Sequence, residues 1–305
     1  MDKIRLIVET DIDQRIDKYL NLQLDNTTRS QIQLMIAARD IKVNNEEIKA
    51  SYKPRKDDII DILFKEKVPM EILPEPIPLD IYYEDSDIIV INKPRGLVVH
   101  PATGNYSGTL VNALLYHSRE LSNINGIIRA GIVHRIDKDT SGLIVACKND
   151  EAHRRISMQF KKKMVLRIYE ALTYGVIDHD YGRIDAPIGR HSNNRKLMSV
   201  VASGKPAITH FQVIERFAQN TWLELKLETG RTHQIRVHLQ YIGYPVVGDP
   251  CYGLKKDRTR YYGQFLHAKT LGLYHPCSGE YMQWEAPLPE YFQNYINELR
   301  SREQS

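Results

Sequence analysis

The carboxylate of Asp137 stands among several cations in the segment from His134 to Leu143. Asp137 follows Arg135 and precedes Lys138, just before an apolar run that predicts a buried strand. Nearby positive charge keeps a carboxylate ionised, and an ionised carboxylate can act as a nucleophile. The residues alone leave a second interpretation open, in which the segment is a surface turn whose ion pairs contribute little.

A second polar segment, Glu228 to His238, could bind an anion. Thr232 is a candidate cap for a helix ending near Tyr241, so Arg231 would precede that helix and Arg236 would lie in its first two turns. A helix start presents backbone N–H groups and positive charge together, which suits an anion. An amphipathic helix with a basic outer face would give the same pattern.

Two more basic segments could contact phosphates. The loop from Ile91 to Pro101 brings together Lys93, Arg95 and His100, although these side chains could simply be exposed. A helix predicted over residues 151–163 carries much of a further basic group on the face opposite its apolar residues. That group consists of Arg154, Arg155, Lys161, Lys162, Lys163 and Arg167. Beside 18 tyrosines it could follow a phosphate backbone.

Signals for metals and organic cofactors are absent from the sequence. There is no GxGxxG, no GxxxxGK[ST] and no HExxH, and Ser141-Gly142 lacks the first glycine of a hydrolase elbow. Cys147, Cys251 and Cys277 lie far apart, which suits a reducing compartment. The sequence has neither a long apolar run nor a secretory h-region. We therefore expect a cytoplasmic protein with no metal, no cofactor and no membrane partner.

The elements that must position these residues fall into two parts. Of the 305 residues, the first 66 carry a net charge of −1 and the remainder a net charge of +5. Four prolines between Val68 and Pro78 predict an extended linker. The predicted organisation is a small domain over 1–66, a linker over 67–78, a main domain over 79–300 and a flexible tail over 301–305.

Periodicity predicts an α+β protein. In the small domain we expect a helix over 15–24, a second helix capped by Thr28, a strand over 41–43, a turn at Asn44-Asn45 and a strand over 57–64. In the main domain we expect strands over 88–92, 143–146 and 222–228 and helices over 109–116 and 151–163. This mixture favours a largely antiparallel sheet.

Five ordered motifs together resemble the RNA pseudouridine synthases of the RluA/RluD type that carry an N-terminal S4 domain. They are Asn92–Pro101, His134–Gly142, Thr229–His238, Gly248–Gly253 and Leu266–Pro276. Residues 13–61 are similar to the S4 RNA-binding module. The resemblance implies a mixed, mainly antiparallel catalytic sheet with flanking helices and a central cleft. It also implies isomerisation of uridine to pseudouridine in structured RNA without a cofactor.

The resemblance also implies roles for individual residues. Asp137 is the expected nucleophile, with attack on the ribose or on the base left open, and Arg236 pairs with it. Tyr169 is expected beside the uracil, and Arg135 is expected to fill the gap left by an extruded nucleotide. The predicted RNA contacts are His134, Arg135, Arg231, Lys93, His100, Arg29, Arg39 and Lys42.

The expected partner is large-subunit (23S) ribosomal RNA or a large-subunit assembly intermediate, bound by a monomer with no obligate protein partner. Three alternatives stay open. The chain could modify transfer RNA, or it could be a non-catalytic RNA-binding or ribosome-assembly factor. A metal-free nucleoside hydrolase would need a second carboxylate near Asp137, for which Asp139 is the close candidate.

Overall fold

The computed structural model describes residues 2–24, 27–64, 72–101, 105–118, 120–194, 196–255, 257 and 263–303. The chain forms two compact units, Met1–Glu71 and Ile72–Ser305. Residues 67–71 of the predicted linker lie outside the described residues. No described helix is long and apolar enough to cross a membrane.

The first unit packs two helices against a four-stranded antiparallel sheet of order β1-β4-β2-β3. Its elements are β1 (Asp2–Ile7), α1 (Ile16–Gln23), α2 (Arg29–Ala37), β2 (Ile41–Val43), β3 (Glu46–Glu47) and β4 (Ile59–Phe64). Apolar side chains of both helices and of the sheet are fully buried between them, among them Leu20, Ile32 and Ile60. Both predicted helices are confirmed.

Local sequence signals account for two details of this unit. The side chain of Thr28 accepts a hydrogen bond from the backbone of Gln31, whose own side chain caps in return. Asn44 and Asn45 have φ values of 49° and 71°, as a tight hairpin between β2 and β3 requires. The Thr28 cap and the asparagine turn are therefore confirmed.

The second unit alternates strands and helices. Its strands are β5 (Ile81–Glu84), β6 (Ile88–Lys93), β7 (Ser141–Cys147), β8 (Leu166–Tyr174), β9 (Tyr181–Asp185), β10 (Ile188–Arg190), β11 (Met198–Val200), β12 (Ile208–Phe217), β13 (Asn220–Leu227), β14 (Leu266–Tyr274) and β15 (Tyr281–Glu285). Its helices are α3 (Leu110–His117), α4 (Asp150–Lys161), α5 (Gln234–Tyr241) and α6 (Glu290–Glu303), with a 3-10 turn at Ile127–Arg129.

The large sheet has the order β5-β6-β7-β14-β8-β13-β12-β9, with β15 paired to β14. Among its described strand pairs, β7 and β14 alone run parallel, which confirms a mixed and mainly antiparallel sheet. β14 lies between β7 and β8 although it follows both by about a hundred residues. Gly142 permits this approach, because a Cβ there would stand 2.2 Å from the carbonyl oxygen of Ala268.

Apolar residues cover both faces of the sheet. Along β6, Ile89 and Ile91 pack into one core while Ile88 and Val90 pack into another beneath α4. A strand buried on both faces reads as a continuous apolar run, as residues 88–91 do. β13 instead alternates, with Leu223 and Leu225 buried and the charged Glu224 and Lys226 more exposed, as predicted.

Two sequence expectations differ from the structure. α5 begins one residue later than predicted, because His233 turns the chain in a left-handed conformation (φ 57°) and Thr232 is exposed without capping the helix. α6 continues through Glu303, past the predicted start of the tail. Ser301 donates to the carbonyl of Asn297 within that helix, which holds its last turn. Residues 304 and 305 lie outside the described residues.

Candidate active site

A cleft of about 510 Å³ opens in the second unit. It is bounded by the loop before β7, the start of β8 and the turn between β13 and α5. The three predicted catalytic residues, Asp137, Tyr169 and Arg236, all line it, as do Arg135, His134 and Arg231. The fold thus brings together Asp137 and Arg236, which are 99 residues apart in the chain.

Arg236 is clamped between two carboxylates. Its Nη1 donates to Oδ2 of Asp137 at 2.8 Å, while its Nε and Nη2 donate to the two oxygens of Asp249 at 2.6 and 2.8 Å. Asp249 is fully buried, and it also accepts from the backbone N–H groups of Cys251 and Tyr252. Bidentate pairing fixes the plane of the guanidinium, so Asp249 sets the direction in which Arg236 meets Asp137.

The electrostatics of this cluster favour the charged form of Arg236. Burial alone would lower the pKa of its guanidinium, but the hydrogen bonds and charge of Asp249, supported by Asp137, raise that pKa above its ordinary value. The ring of Tyr252 lies 5.0 Å from Cζ of Arg236, in cation–π distance. Arg236 therefore stays a cation beside Asp137.

His233 stands on the other side of Asp137. Its Nε2 is 3.9 Å from Oδ1 of Asp137, and its Nδ1 is 2.8 Å from the hydroxyl of Tyr252. That hydroxyl already accepts from the backbone N–H of Met198, so its proton is free to go to Nδ1 of His233. Burial lowers the pKa of His233, which favours a neutral ring with a proton on Nε2 facing Asp137.

Tyr169 lies on β8 and is nearly enclosed, with 7% of its surface exposed. Burial raises the pKa of its phenol; the charge of Arg167 opposes this increase and that of Asp137 adds to it. The phenol is therefore protonated at neutral pH. Its place in the cleft offers an aromatic ring and a hydroxyl to a substrate beside Asp137.

The loop that carries Asp137 is fixed from behind by Lys93. The ammonium of Lys93 donates to the carbonyls of Pro94, Leu97 and Lys138 at 2.7, 3.0 and 3.0 Å. Gly96 donates its N–H to that same carbonyl of Lys138. These bonds join the loop after β6 to the residue that follows Asp137, and so position the carboxylate.

Two predicted RNA contacts, Lys93 and His100, need correction, because burial removes the charge or the access that a phosphate would need. His134 is half-buried and lines the cleft, so its binding role stays a prediction. Lys93 is fully buried and its three donors bind carbonyls. Burial lowers the pKa of His100 to about 4 and that of His134 to about 3, so both are neutral at pH 7. The Nε2 atom of His134 accepts from the N–H of Val145, which ties the loop that carries Asp137 to β7.

Other predicted contacts lie where RNA could reach them. Arg135 is exposed at the mouth of the cleft, and Arg231 lines the cleft while its Nε donates to the carbonyl of Pro206. In the first unit Arg29 pairs with buried Asp17, Arg39 pairs with Glu47 at 3.2 Å, and Lys42 is half-buried on β2. The structure leaves the binding roles of these residues as predictions.

Two features of the site could not be found from the sequence. Asp249 stands out there only as part of a motif, and nothing in the sequence gives His233 a role.

One further group, Asp85, Asp87 and His275, has the spacing of a metal site. However, Nε2 of His275 is 2.7 Å from Asp85 and its Nδ1 accepts from backbone N–H groups, so a structural role explains it.

The proteins that comparison found to be similar in sequence agree with one another in the family they indicate. A family model for RNA pseudouridylate synthase matches residues 87–241, and one for the S4 domain matches residues 14–60. A Bacillus subtilis (strain 168) protein named as the uncharacterized RNA pseudouridine synthase YlyB is 51% identical over 287 residues, 94% of each chain. The ribosomal large subunit pseudouridine synthase D of Pseudomonas aeruginosa is 51% identical over 75% of this chain and 74% of that protein.

A solved structure agrees with the fold. Human RNA pseudouridylate synthase domain containing 1 has a TM-score of 0.58 and 27% identity, covering 74% of this chain and 96% of that one. The fold and the cleft define an RNA-modifying isomerase. The chain belongs to the RNA pseudouridine synthase family, and its first unit contains an S4 domain, as predicted.

Proposed function

We propose that this enzyme isomerises uridine to pseudouridine in large-subunit (23S) ribosomal RNA, with Asp137 as the nucleophile. One observation carries the proposal: Asp137 lies in the cleft, held by Arg236, with 18% of its side chain still exposed. The pairing keeps the carboxylate ionised and oriented, and the exposure leaves it accessible to a substrate. The Pseudomonas relative, named for the large ribosomal subunit, supports the choice of RNA.

Base flipping follows from the depth of the site. A carboxylate inside a cleft cannot reach the glycosidic carbon of a stacked, paired nucleotide, so the target uridine must be turned out, at a cost of a few kcal/mol. Tyr169 offers the flipped uracil a ring to stack on. In this proposal Arg135, which is exposed and lines the cleft, occupies the vacated position in the RNA.

The S4 domain supplies further RNA affinity in this proposal. Fully buried Asp17 accepts from both Arg15 and Arg29, which holds two half-exposed guanidinium groups at the surface. Arg39 and Lys42 are two further predicted contacts in this domain. We expect Arg39→Gln combined with Lys42→Gln to flatten the salt dependence of RNA binding by about 0.7 for each phosphate that the protein no longer neutralises. An unchanged slope would remove these two residues from the interface.

Tritium release from 5-tritiated uridine tests the proposal. Unmodified transcripts of 23S ribosomal RNA and of transfer RNA serve as separate substrates, and Asp137→Asn is compared with Asp139→Asn from the same loop. We expect release from the ribosomal transcript that falls more than about 1,000-fold in Asp137→Asn, while the Asp139 variant keeps its activity and both bind RNA normally. Release from transfer RNA alone would overturn the choice of substrate.

The same reactions separate the rival functions. RNA binding with no release from either transcript would favour a non-catalytic binding factor. Free uracil produced from uridine, with activity lost in Asp139→Asn, would favour a hydrolase.

We propose that the chain acts as a monomer, because Asp137, Tyr169 and Arg236 all come from one chain. Sedimentation of the active enzyme checks this.

A further inference from the structure

Arg167 is a cation in the cleft that the mechanism above does not use. It lies on β8 two residues before Tyr169, so both side chains project from the same face of the strand and both line the cleft. Its Nε atom is buried and has no hydrogen-bond partner. Among the residues that the structure describes, no carboxylate forms an ion pair with it. A buried donor without a partner is costly, so this one suggests a missing ligand.

An aromatic ring and a glycine lie next to the guanidinium of Arg167. Its Cζ lies 5.6 Å from the ring centre of Phe160. The ring of Phe160 also stacks on that of His134, with 4.6 Å between the ring centres. On another side Gly230 gives the guanidinium room, because a Cβ there would stand 2.7 Å from Nη1 of Arg167. A planar guanidinium whose Nε–H has no partner is suited to an oxyanion.

The surrounding charge also favours an anion. The cleft is lined by six cations and two carboxylates, Asp137 and Glu228. Asp137 is already paired with Arg236, and Glu228 lies 2.7 Å from His210 and 3.5 Å from Lys163. No described carboxylate therefore neutralises Arg167, and burial lowers the pKa of its guanidinium as expected for a desolvated cation.

We propose that Arg167 binds a phosphodiester of the RNA strand next to the flipped uridine. Two residues along a strand span about 7 Å, so a nucleotide with its base beside Tyr169 brings a flanking phosphate within reach of Arg167. A uracil carbonyl is neutral and would not offset the charge, whereas a phosphate provides both charge and paired acceptors. The inference rests on the proposed function, since it places the target uridine at Tyr169.

The salt dependence of RNA binding tests it. All proteins carry Asp137→Asn, so that no turnover occurs, and dissociation constants for the 23S transcript are measured over a range of KCl concentrations. We expect Arg167→Gln to raise the dissociation constant about tenfold or more and to reduce the slope against log salt by about 0.7–0.9. Arg167→Lys should restore the slope, because it keeps the charge.

Arg302→Gln is the matched control. Arg302 lies on α6, is exposed and pairs with Glu298, and it does not line the cleft. Its removal should leave the slope unchanged. A slope for Arg167→Gln equal to that of the parent protein would overturn the proposal.

A chemical change in the RNA gives a test without altering the protein. In a short RNA carrying the mapped target uridine, each flanking phosphodiester is replaced in turn by an uncharged methylphosphonate. One replacement should weaken binding to the parent protein tenfold and have little effect on Arg167→Gln, whereas equal losses in both proteins would overturn the inference. Absence of tritium release by the wild-type enzyme would instead count against the proposed function, so the two failures are distinguishable.

Discussion

The substitution Asp249→Asn isolates the residue that aims Arg236. Asp249 is fully buried, and one of its oxygens accepts three hydrogen bonds, from Arg236, Cys251 and Tyr252. The amide oxygen of an asparagine would keep that position. Its NH₂ group would then occupy the place of the other oxygen, facing the Nε–H of Arg236 across the 2.6 Å that a hydrogen bond now spans. Two donors would oppose each other there.

The expected losses of stability and of kcat/KM follow from the interactions that this substitution removes. Breaking a buried ion pair by removing one partner costs about 3–5 kcal/mol, so the free energy of unfolding should fall by that amount. A guanidinium displaced by the repulsion also loses its charge-assisted bond to Asp137, worth about 1.5–3 kcal/mol. If that bond persists into the transition state, kcat/KM should fall about 10- to 150-fold.

Urea unfolding and tritium release measure the two effects. The control is Asp180→Asn, since Asp180 is a largely exposed carboxylate that pairs with Arg216 at the surface. It should change stability by no more than about 1 kcal/mol. An Asp249→Asn protein that folds and keeps kcat/KM within threefold of the wild-type value would show that Asp249 does not orient Arg236.

Three further substitutions probe the buried framework around the cleft. Lys93→Met should lower the free energy of unfolding by at least about 2 kcal/mol in urea titrations, because buried carbonyls lose their donor. Gly142→Ala should lower the free energy of unfolding by about 2–6 kcal/mol, because of strain at φ 113° and a clash with the Ala268 carbonyl. Gly96→Ala, where nothing lies near the added Cβ, should lower it by only about 1–2 kcal/mol. Burial lowers the pKa of His267 to about 4, below the unfolded value of about 6.5. Between these pH values the unfolded chain binds more protons than the folded chain, so the free energy of unfolding falls as the pH drops from about 6.5 to about 4. His267→Gln should make that fall shallower by up to about 1.4 kcal/mol per pH unit in acid unfolding curves, and an identical slope would contradict the assignment.

Local signals could be predicted because they act over a few residues. The Thr28 cap, the asparagine turn and the alternation in β13 each depend on neighbours in the chain, and each is present. The start of α5 could not be predicted in this way. Thr232 has the right side chain for a cap, but His233 adopts a left-handed conformation that places its ring beside Asp137 and Tyr252.

Long-range partners account for the other differences. The sequence predicts Lys93 as a phosphate contact because a lysine in a loop is usually exposed. In the structure its ammonium is buried and donates to the carbonyl of Lys138, 45 residues later. Asp249 is likewise recognisable as the clamp on Arg236 only after the fold brings the two together. The resemblance to a family gave the catalytic roles of Asp137, Tyr169 and Arg236 as predictions. The sequence did not indicate that Lys93 and Asp249 would lie behind them.

The late position of β14 in the chain sets the order in which the molecule becomes active during synthesis. The first unit has its own core, and its last described strand ends at Phe64. The central sheet cannot close until Tyr274, the last residue of β14, follows. At about 5–20 residues per second this interval lasts roughly 10 to 40 s. A nascent chain thus carries the whole S4 domain well before it can form the cleft that holds Asp137.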